Sequence, residues 1–200
     1  MFCANCGAQL PEGPKFCGKC GTPQGGVQPA QPAVKRLYFD AKGLTLFNYK
    51  FDIRDEAGNV CYQAATVTES MIRHNARVYD LNGNTLIHVS QQKKLTMVAV
   101  NFDIMDGADN LITEAIQKVN LVNYIYELKQ LGISLSGNFL KLEFDFVKNG
   151  APIAKVRKKF LSWGDSYELE FSDPSLELVL LACIMMIQIV CAIQRNRRRR

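Results

Sequence analysis

Hydrophobic and polar positions alternate along most of the chain behind residue 37. In the segment KLEFDF, residues 141–146, apolar residues occupy the even positions and charged residues the odd ones. Successive side chains of a strand point to opposite faces, so this pattern predicts a strand with one buried face. Tyr124, Tyr126 and Leu128 alternate in the same way. We therefore favour strands over a helix in the ambiguous stretch from Leu111 to Leu131.

Turn residues separate these short apolar segments at regular intervals. A Phe-Asp pair followed by a turn recurs at Phe51, Phe102 and Phe144, which indicates a repeated hairpin unit. Asn-Gly and Asp-Gly can place both central residues at positive φ, as tight hairpin turns require. The predicted turns are Gly58-Asn59, Asn82-Gly83, Asp106-Gly107 and Asn149-Gly150.

The last part of the chain is apolar on every side and then abruptly cationic. Asp173 as N-cap and Pro174 at the first position predict a helix over about 174–193. Residues 176–193 would form about 27 Å of helix, against about 30 Å for the hydrocarbon core of a bilayer. Length therefore does not decide between a membrane span and a helix buried in protein.

Orientation favours burial of this helix. As a tail anchor it would carry its arginines across the membrane, against the tendency of Arg to stay cytoplasmic. The reverse orientation would export the rest of the chain, although residues 1–24 contain no signal peptide. A closed β-barrel could enclose the helix on all sides and offer Gln188 a hydrogen-bond partner. A tail-anchored protein with residues 176–193 spanning the membrane is the alternative.

Composition and charge fit a globular chain with a basic tip. Hydrophobic residues make up 48% of the chain and charged residues 22%. The formal net charge is +5, and Arg195 with residues 197–200 supplies five positive charges, so the remaining body is near neutral. A basic tip alone is weak support for nucleic-acid binding. Without a signal peptide we expect a cytoplasmic protein, in which the seven cysteines serve metal binding or burial rather than disulfides.

Four of the cysteines form two CxxC pairs at the N-terminus. Cys3 and Cys6 are separated by ten residues from Cys17 and Cys20, and a glycine follows each pair. Four thiolates suit one tetrahedral zinc ion and leave no position open for water, so the site is predicted to be structural. A redox dithiol is disfavoured because no βαβ pattern surrounds the motif. The stretch resembles short zinc-ribbon modules, and we assign residues 1–22 to a ribbon of this kind.

A proline- and glycine-containing segment separates the ribbon from the rest of the chain. Residues 23–36 have almost no apolar mass and are predicted to be a flexible linker. The fold class predicted from all these patterns is mainly β. It combines a small zinc ribbon with four cysteine ligands and a closed antiparallel β-barrel that encloses a hydrophobic C-terminal helix.

The segments FDIRDEAGNVCY, VYDLNGNTLIHVSQQK and FDFVKNGAPIAKVRKKFLSWGDSYELEF resemble the LURP-one-related family. That family is similar to the C-terminal domain of tubby-like proteins and to phospholipid scramblases. The resemblance implies a closed antiparallel barrel threaded by its own C-terminal helix, here over residues 37–194. The arginine-rich tail, residues 195–200, has no counterpart in the family pattern.

Residues suited to catalysis are few. We expect His74 to lie in a loop and His88 to be a satisfied residue of a strand. Cys61, Cys183 and Cys191 lie in apolar segments, where buried thiols would be inert. The sequence contains no recognisable catalytic triad, paired carboxylates or phosphate loop. A non-enzymatic protein is therefore predicted.

Three functional classes follow from these features. The first is a binding module whose barrel engages an anionic partner such as a lipid headgroup, since tubby-like relatives bind phosphoinositides. The second is a tail-anchored or scramblase-like membrane protein. The third, a nucleic-acid-associated ribbon protein, is disfavoured because the ribbon has few cations. We expect peripheral membrane contact at most, and an unidentified protein partner for the ribbon. The candidate anion-binding residues are Lys155, Arg157, Lys158, Lys159, Lys93 and Lys94. Alternating Lys155, Arg157 and Lys159 could instead form the solvated face of a strand, and we favour that interpretation over a specific pocket.

Overall fold

The computed structural model divides the chain into two compact units, Met1–Ala33 and Val34–Arg200. It describes only part of each unit. In the first unit it describes residues 3, 5–9 and 18–21. In the second it describes residues 34–40, 50–70, 73–92, 99–118, 124–138, 142–161 and 164–198.

The second unit is a closed barrel in which every strand pairs with its neighbours in the chain and the last strand pairs with the first. All neighbouring strands are antiparallel. The predicted mainly β fold is confirmed. The strands in the described residues are β1 (Lys35–Asp40), β2 (Lys50–Arg54), β3 (Val60–Ser70), β4 (Arg73–Tyr79), β5 (Thr85–Gln91), β6 (Phe102–Asp106), β7 (Leu111–Lys118), β8 (Tyr124–Leu128), β9 (Ile133–Asn138), β10 (Glu143–Lys148), β11 (Ala151–Leu161) and β12 (Gly164–Phe171).

The strands bury one face, as their alternation predicts. Phe144 and Phe146 lie in the core, whereas Asp145 between them is exposed. In β8, Tyr126 and Leu128 are buried, which confirms strands in the ambiguous stretch. The phenylalanines of the three Phe-Asp pairs all lie in the core, at or next to the start of β2, β6 and β10. The repeated pair therefore marks equivalent inward positions.

A long apolar helix fills the barrel. A short 3-10 helix, Pro174–Leu176, leads into α1 (Glu177–Arg198). Residues 179–192 of α1 are all buried, and Cys183 is 0% exposed. Within Pro174–Ile193 a window of 18 residues has a mean hydropathy of 2.6 and is apolar enough to cross a bilayer, but 89% of that window is buried inside the protein. Contact with the barrel wall thus accounts for its apolar character.

The start of α1 is fixed by hydrogen bonds from two strands. The side chain of Asp173 caps the 3-10 turn by accepting a hydrogen bond from the Ser175 N–H at 3.0 Å. The carboxylate of Glu177, which is 7% exposed, accepts hydrogen bonds from Lys35 Nζ at 2.7 and 2.8 Å and from Tyr62 Oη at 2.9 Å. Burial and the contact with Glu177 raise the pKa of Tyr62 to about 12. A buried carboxylate is thus paired where the helix begins.

These contacts define two ends of the barrel. We call the end at which α1 begins the proximal end and the opposite one the distal end. Because neighbouring strands are antiparallel and β12 leads into α1, every even-numbered strand ends at the proximal end. Odd-numbered strands end at the distal end. The helix runs through the interior from the proximal to the distal end, since its buried part begins at residue 176 and continues to residue 192.

Two boundaries and the position of one histidine differ from the sequence-based expectations. β1 begins at Lys35 rather than Leu37, because Lys35 and Arg36 pair with the end of β12. The helix continues to Arg198, five residues past the predicted end. Arginine is a good helix former, and positive charge is favourable near a helix C-terminus. The prediction that His74 lies in a loop is wrong, because it lies in β4.

The proximal hairpins are mostly longer than the predicted two-residue turns. Only Asn149 and Gly150, at φ 51° and 80°, form a described turn with two adjacent positive-φ residues. In the loops after β2, β4 and β6 an aspartate instead accepts two hydrogen bonds, at 2.8–3.0 Å, from the backbone and side chain of an asparagine four residues later. These bonds lower the pKa of each aspartate. A Cβ at Gly107 would lie 2.2 Å from the Thr85 carbonyl oxygen. Glycine at this position therefore lets the loop pack closely against the backbone of Thr85, and a positive φ is not the reason for it.

Replacing Glu177 with Gln should destabilise the barrel by about 1–3 kcal/mol. The change removes a charged acceptor and weakens the hydrogen bonds from Lys35 and Tyr62. The matched control is Glu127→Gln, which breaks the exposed pair with Lys118 and should cost at most about 1 kcal/mol. Urea unfolding followed by far-UV circular dichroism measures both. Equal effects of the two substitutions would contradict the proposed role of Glu177.

Candidate functional site

The described part of the N-terminal unit brings three cysteines together. The Sγ atoms of Cys3, Cys6 and Cys20 all lie within 4.8 Å of one another, and those of Cys3 and Cys20 are 3.6 Å apart. Two thiolates on one tetrahedral zinc ion, each at about 2.3 Å, would be separated by about 3.8 Å. The spacing of these sulfurs therefore fits a shared zinc ion. The fourth predicted ligand, Cys17, lies outside the described residues.

The backbone around Cys3 forms a tight turn suited to a metal knuckle. The Cys3 carbonyl accepts a hydrogen bond from the Gly7 N–H at 2.9 Å, and the Cys3 N–H donates to the Ala8 carbonyl at 2.8 Å. Hydrogen bonds from the backbone of Cys6 and Asn5 lower the pKa of the Cys3 thiol. Thiolate is the form that binds metal, so the turn favours ligation.

Glycine follows each CxxC pair for a conformational reason. Gly7 and Gly21 have φ of 66° and 72°, in the left-handed region that L side chains rarely adopt. A Cβ at either position would meet no described atom outside its chain neighbours within 4 Å, so the positive φ rather than a close approach of another segment explains the glycine. The two turns share this backbone conformation, as a duplicated motif predicts.

The basic residues of β11 lie in a ladder of opposite charges on the outer face of the barrel. Lys155 Nζ is 2.7 Å from Glu170, and Arg157 forms an ion pair with Asp145. The Arg157 guanidinium also donates to the Phe144 carbonyl at 2.8 Å. These carboxylates compensate the positive charge of the strand. The geometry therefore favours a solvated structural face over a ready-made anion pocket at this position.

A buried carboxylate lies at the centre of the same face. The side chain of Glu168 is 7% exposed although it projects from the outer face of β12. It accepts a hydrogen bond from Tyr38 Oη at 2.9 Å and lies 3.3 Å from Lys159 Nζ. Burial and this hydrogen bond raise the pKa of Tyr38 to about 12. Sequence reasoning missed Glu168 and Tyr38, because nothing in the chain pattern indicates that β1 closes the barrel against β12.

The six predicted anion-binding residues do not form one cluster in the described part of the chain. Strand alternation places Lys158 on the opposite face from Lys155 and Lys159, and its side chain is exposed. Lys93 and Lys94, which follow β5 in the sequence, lie outside the described residues. Anion binding by these residues stays a prediction.

The remaining histidines and thiols that the structure describes lie in strands of the barrel or in α1. His88 lies in β5, nearly buried, with its Nε2 atom 3.4 Å from Asp109. Burial lowers the pKa of His74 and raises that of Cys183 to about 12. Cys191 is buried as predicted, whereas Cys61 is half-buried.

Family models of known proteins match both parts of this chain. A family model described as LURP-one-related matches residues 35–189. The chain belongs to the LURP-one-related family. A zinc-ribbon domain model matches residues 2–24 in addition. Neither family is an enzymatic one, so the architecture is that of a non-enzymatic family with an added ribbon.

Two known proteins are similar to this LURP-one-related chain. Uncharacterized protein YxjI of Bacillus subtilis (strain 168) is 27% identical over 111 residues, which cover 56% of this chain and 67% of that protein. An X-ray structure of a protein from Arabidopsis thaliana is similar with a TM-score of 0.52 at 13% identity, and the match covers 78% of this chain and 92% of that chain. At that identity the likeness concerns the fold alone.

The purified protein should contain about one zinc ion per chain. Cys3→Ser should lose most of the zinc. Four thiolates complete the tetrahedral coordination of the ion, and this variant supplies only three. Cys61→Ser is the matched control and should retain it. Plasma mass spectrometry measures the ratio of zinc to protein.

Chelation should leave the thermal unfolding of the barrel unchanged, since the ribbon belongs to the other unit. A ratio near zero in gently purified wild-type protein would contradict the site.

Proposed function

We propose that this protein is a non-catalytic binding protein, in which a zinc-stabilised ribbon is tethered to a barrel that engages anionic partners through its surface. The observation that carries the proposal is the filling of the barrel by α1. Small-molecule sites are usually concave and lined with apolar groups. Here the apolar interior is occupied by residues of the same chain, which leaves the outer face and the ends of the barrel for binding.

The ribbon supports a role in binding rather than catalysis. Four thiolate ligands would complete the coordination of zinc and leave no position for a reacting water. The ion would then stabilise a small module that is too short to fold by hydrophobic burial alone. We infer that this module contacts a second protein, while the barrel contacts the anionic partner. A cytoplasmic location accords with reduced thiols at the metal site.

A membrane-anchored protein is the alternative, favoured by a mean hydropathy of 2.6 over 18 residues within Pro174–Ile193. Membrane insertion of this segment would empty the barrel interior and expose its apolar lining to water. Washing membranes with carbonate separates the two possibilities. A peripheral protein is released into the supernatant, whereas an inserted one remains in the pellet.

Cosedimentation with vesicles tests the proposed anionic partner. Wild-type protein should sediment with vesicles containing about 30% phosphatidylglycerol and not with pure phosphatidylcholine. The variant Lys155/Arg157/Lys159→Ala should bind at most a few-fold more weakly, because Glu168, Glu170 and Asp145 already compensate these cations. Binding of the wild type to neither type of vesicle would contradict the anionic-partner proposal. Loss of binding in this variant would place the site on the outer face.

A further inference from the structure

Three hairpins at the proximal end share one design. They connect β2 to β3, β4 to β5 and β6 to β7, and the strand order makes them neighbours along the rim of the barrel. Each begins with an aspartate that accepts hydrogen bonds from an asparagine four residues later. We call the surface formed by residues 54–59, 79–85 and 106–111 the hairpin face. All of these residues belong to the described part of the chain.

The hairpin face is strongly acidic. It contains one cation, Arg54, which is already paired with Asp52 of the same strand at 2.7 Å. The face also contains five carboxylates, which are those of Asp55, Glu56, Asp80, Asp106 and Asp109. One positive and five negative charges leave it with a formal charge of −4. The hydrogen bonds from asparagine lower the pKa of the three aspartates that begin the hairpins, so these stay ionised at neutral pH.

Two exposed leucines accompany these carboxylates. Among the residues that the structure describes, the large apolar side chains that are strongly exposed are those of Val34, Leu81 and Leu111. Leu81 is 62% exposed and Leu111 is 53% exposed, and both belong to the hairpin face. The hairpins that carry them pack directly together, because the backbone of Gly107 lies close to the Thr85 carbonyl. Neighbouring exposed apolar side chains with a polar rim are typical of a protein contact surface.

Asp109 occupies a backbone position where the other two hairpins have glycine. Gly58 and Gly83 lie fourth in their hairpins at φ 85° and 88°, and Asp109 lies fourth in the third hairpin at φ 67°. Glycine adopts this left-handed conformation with less strain than aspartate. The Asp109 side chain is 82% exposed, and its carboxylate lies 3.4 Å from His88 Nε2. A strained aspartate where glycine would serve the turn indicates a role for the exposed carboxylate itself.

We propose that the hairpin face docks a basic protein segment that carries apolar side chains. Lys and Arg of this segment pair with the carboxylates, and its apolar side chains cover Leu81 and Leu111. Charge complementarity selects this occupant, because a nucleic acid or an anionic bilayer would be repelled from a surface of this charge. The partner proposed above for the barrel is anionic, so the hairpin face is a separate contact and neither proposal depends on the other.

Peptide titration of the full chain tests the charges of the face. The probe is a fluorescent peptide composed of Lys, Arg and Leu, and anisotropy measures its binding. The variant Glu56→Gln/Asp109→Gly should bind about 5- to 20-fold more weakly than the wild type and depend less on salt. The control Glu127→Gln/Glu143→Gln removes the same charge from the barrel wall and should bind within about twofold of the wild type. Asp109→Gly alone should not lower the melting temperature, since the other hairpins have glycine there.

The same titration tests the two leucines. Leu81→Ser/Leu111→Ser should bind the peptide about 5- to 20-fold more weakly, because apolar contact area is lost, and should keep the wild-type salt dependence. Val34→Ser is the control, since it removes an exposed apolar side chain outside the hairpin face, and should bind like the wild type. A second probe with Gly in place of Leu should bind the wild type about as weakly as the first probe binds the leucine variant. Melting curves confirm that each variant is folded.

Equal weakening by either variant and its control would overturn the proposal, as would a wild-type chain that does not bind the peptide. Sedimentation velocity of the full chain tests a second copy as the occupant. A concentration-dependent dimer that Leu81→Ser/Leu111→Ser abolishes would assign the hairpin face to self-association and overturn the basic partner. None of these results bears on vesicle binding, so the anionic-partner proposal would stand in each case.

Discussion

The barrel and its central helix depend on each other through one apolar interface. A closed sheet of about eight strands can fill its interior with its own side chains, whereas larger barrels enclose a cavity. This barrel has twelve strands in its described residues, and α1 occupies the interior. Without the helix the inward side chains would line a wet cavity, and without the wall the helix would expose a continuous apolar surface. Each buried leucine or isoleucine contributes about 1.5–3 kcal/mol, so the interface dominates the stability of the fold.

Charged residues at both ends set the depth of the helix in the barrel. Glu177 is paired with Lys35 and Tyr62 at the proximal end, and Arg195 follows the buried part at the distal end. Sliding the helix by one turn in either direction would draw a charge into the apolar interior, which is costly unless the charge is paired there. Apart from Gln188, the buried part of α1 is apolar and specifies little register of its own. The charged residues at its ends therefore supply most of the register.

Much of the fold could be predicted from the sequence because its signals are local. Alternation in KLEFDF and the turn at Asn149 and Gly150 each depend on a few neighbouring residues, and the structure agrees with both. The sulfur cluster of Cys3, Cys6 and Cys20 is signalled in the same way by spacing. The length of the proximal loops was missed because hydrogen bonds that an aspartate side chain accepts, such as that from Asn84 to Asp80, compete with the tight Asn-Gly turn.

The candidate binding surfaces could not be predicted, because they depend on which strands meet. A basic strand such as β11 suggests an anion site by its sequence, but the closure of the barrel brings Glu170 and Glu168 of β12 against it. Charge sums along the chain therefore carry little information about this surface.

The dependence of the barrel on α1 is tested most directly by shortening the chain. A chain that ends at Pro174 lacks the helix, and a matched chain that ends at Ile193 retains its buried part. Solubility and thermal unfolding by circular dichroism compare the two. The account predicts that the Ile193 chain melts cooperatively, like the full protein, and that the Pro174 chain is insoluble or unfolds without a transition. A soluble Pro174 chain with an unchanged sheet signal and a cooperative transition would contradict it.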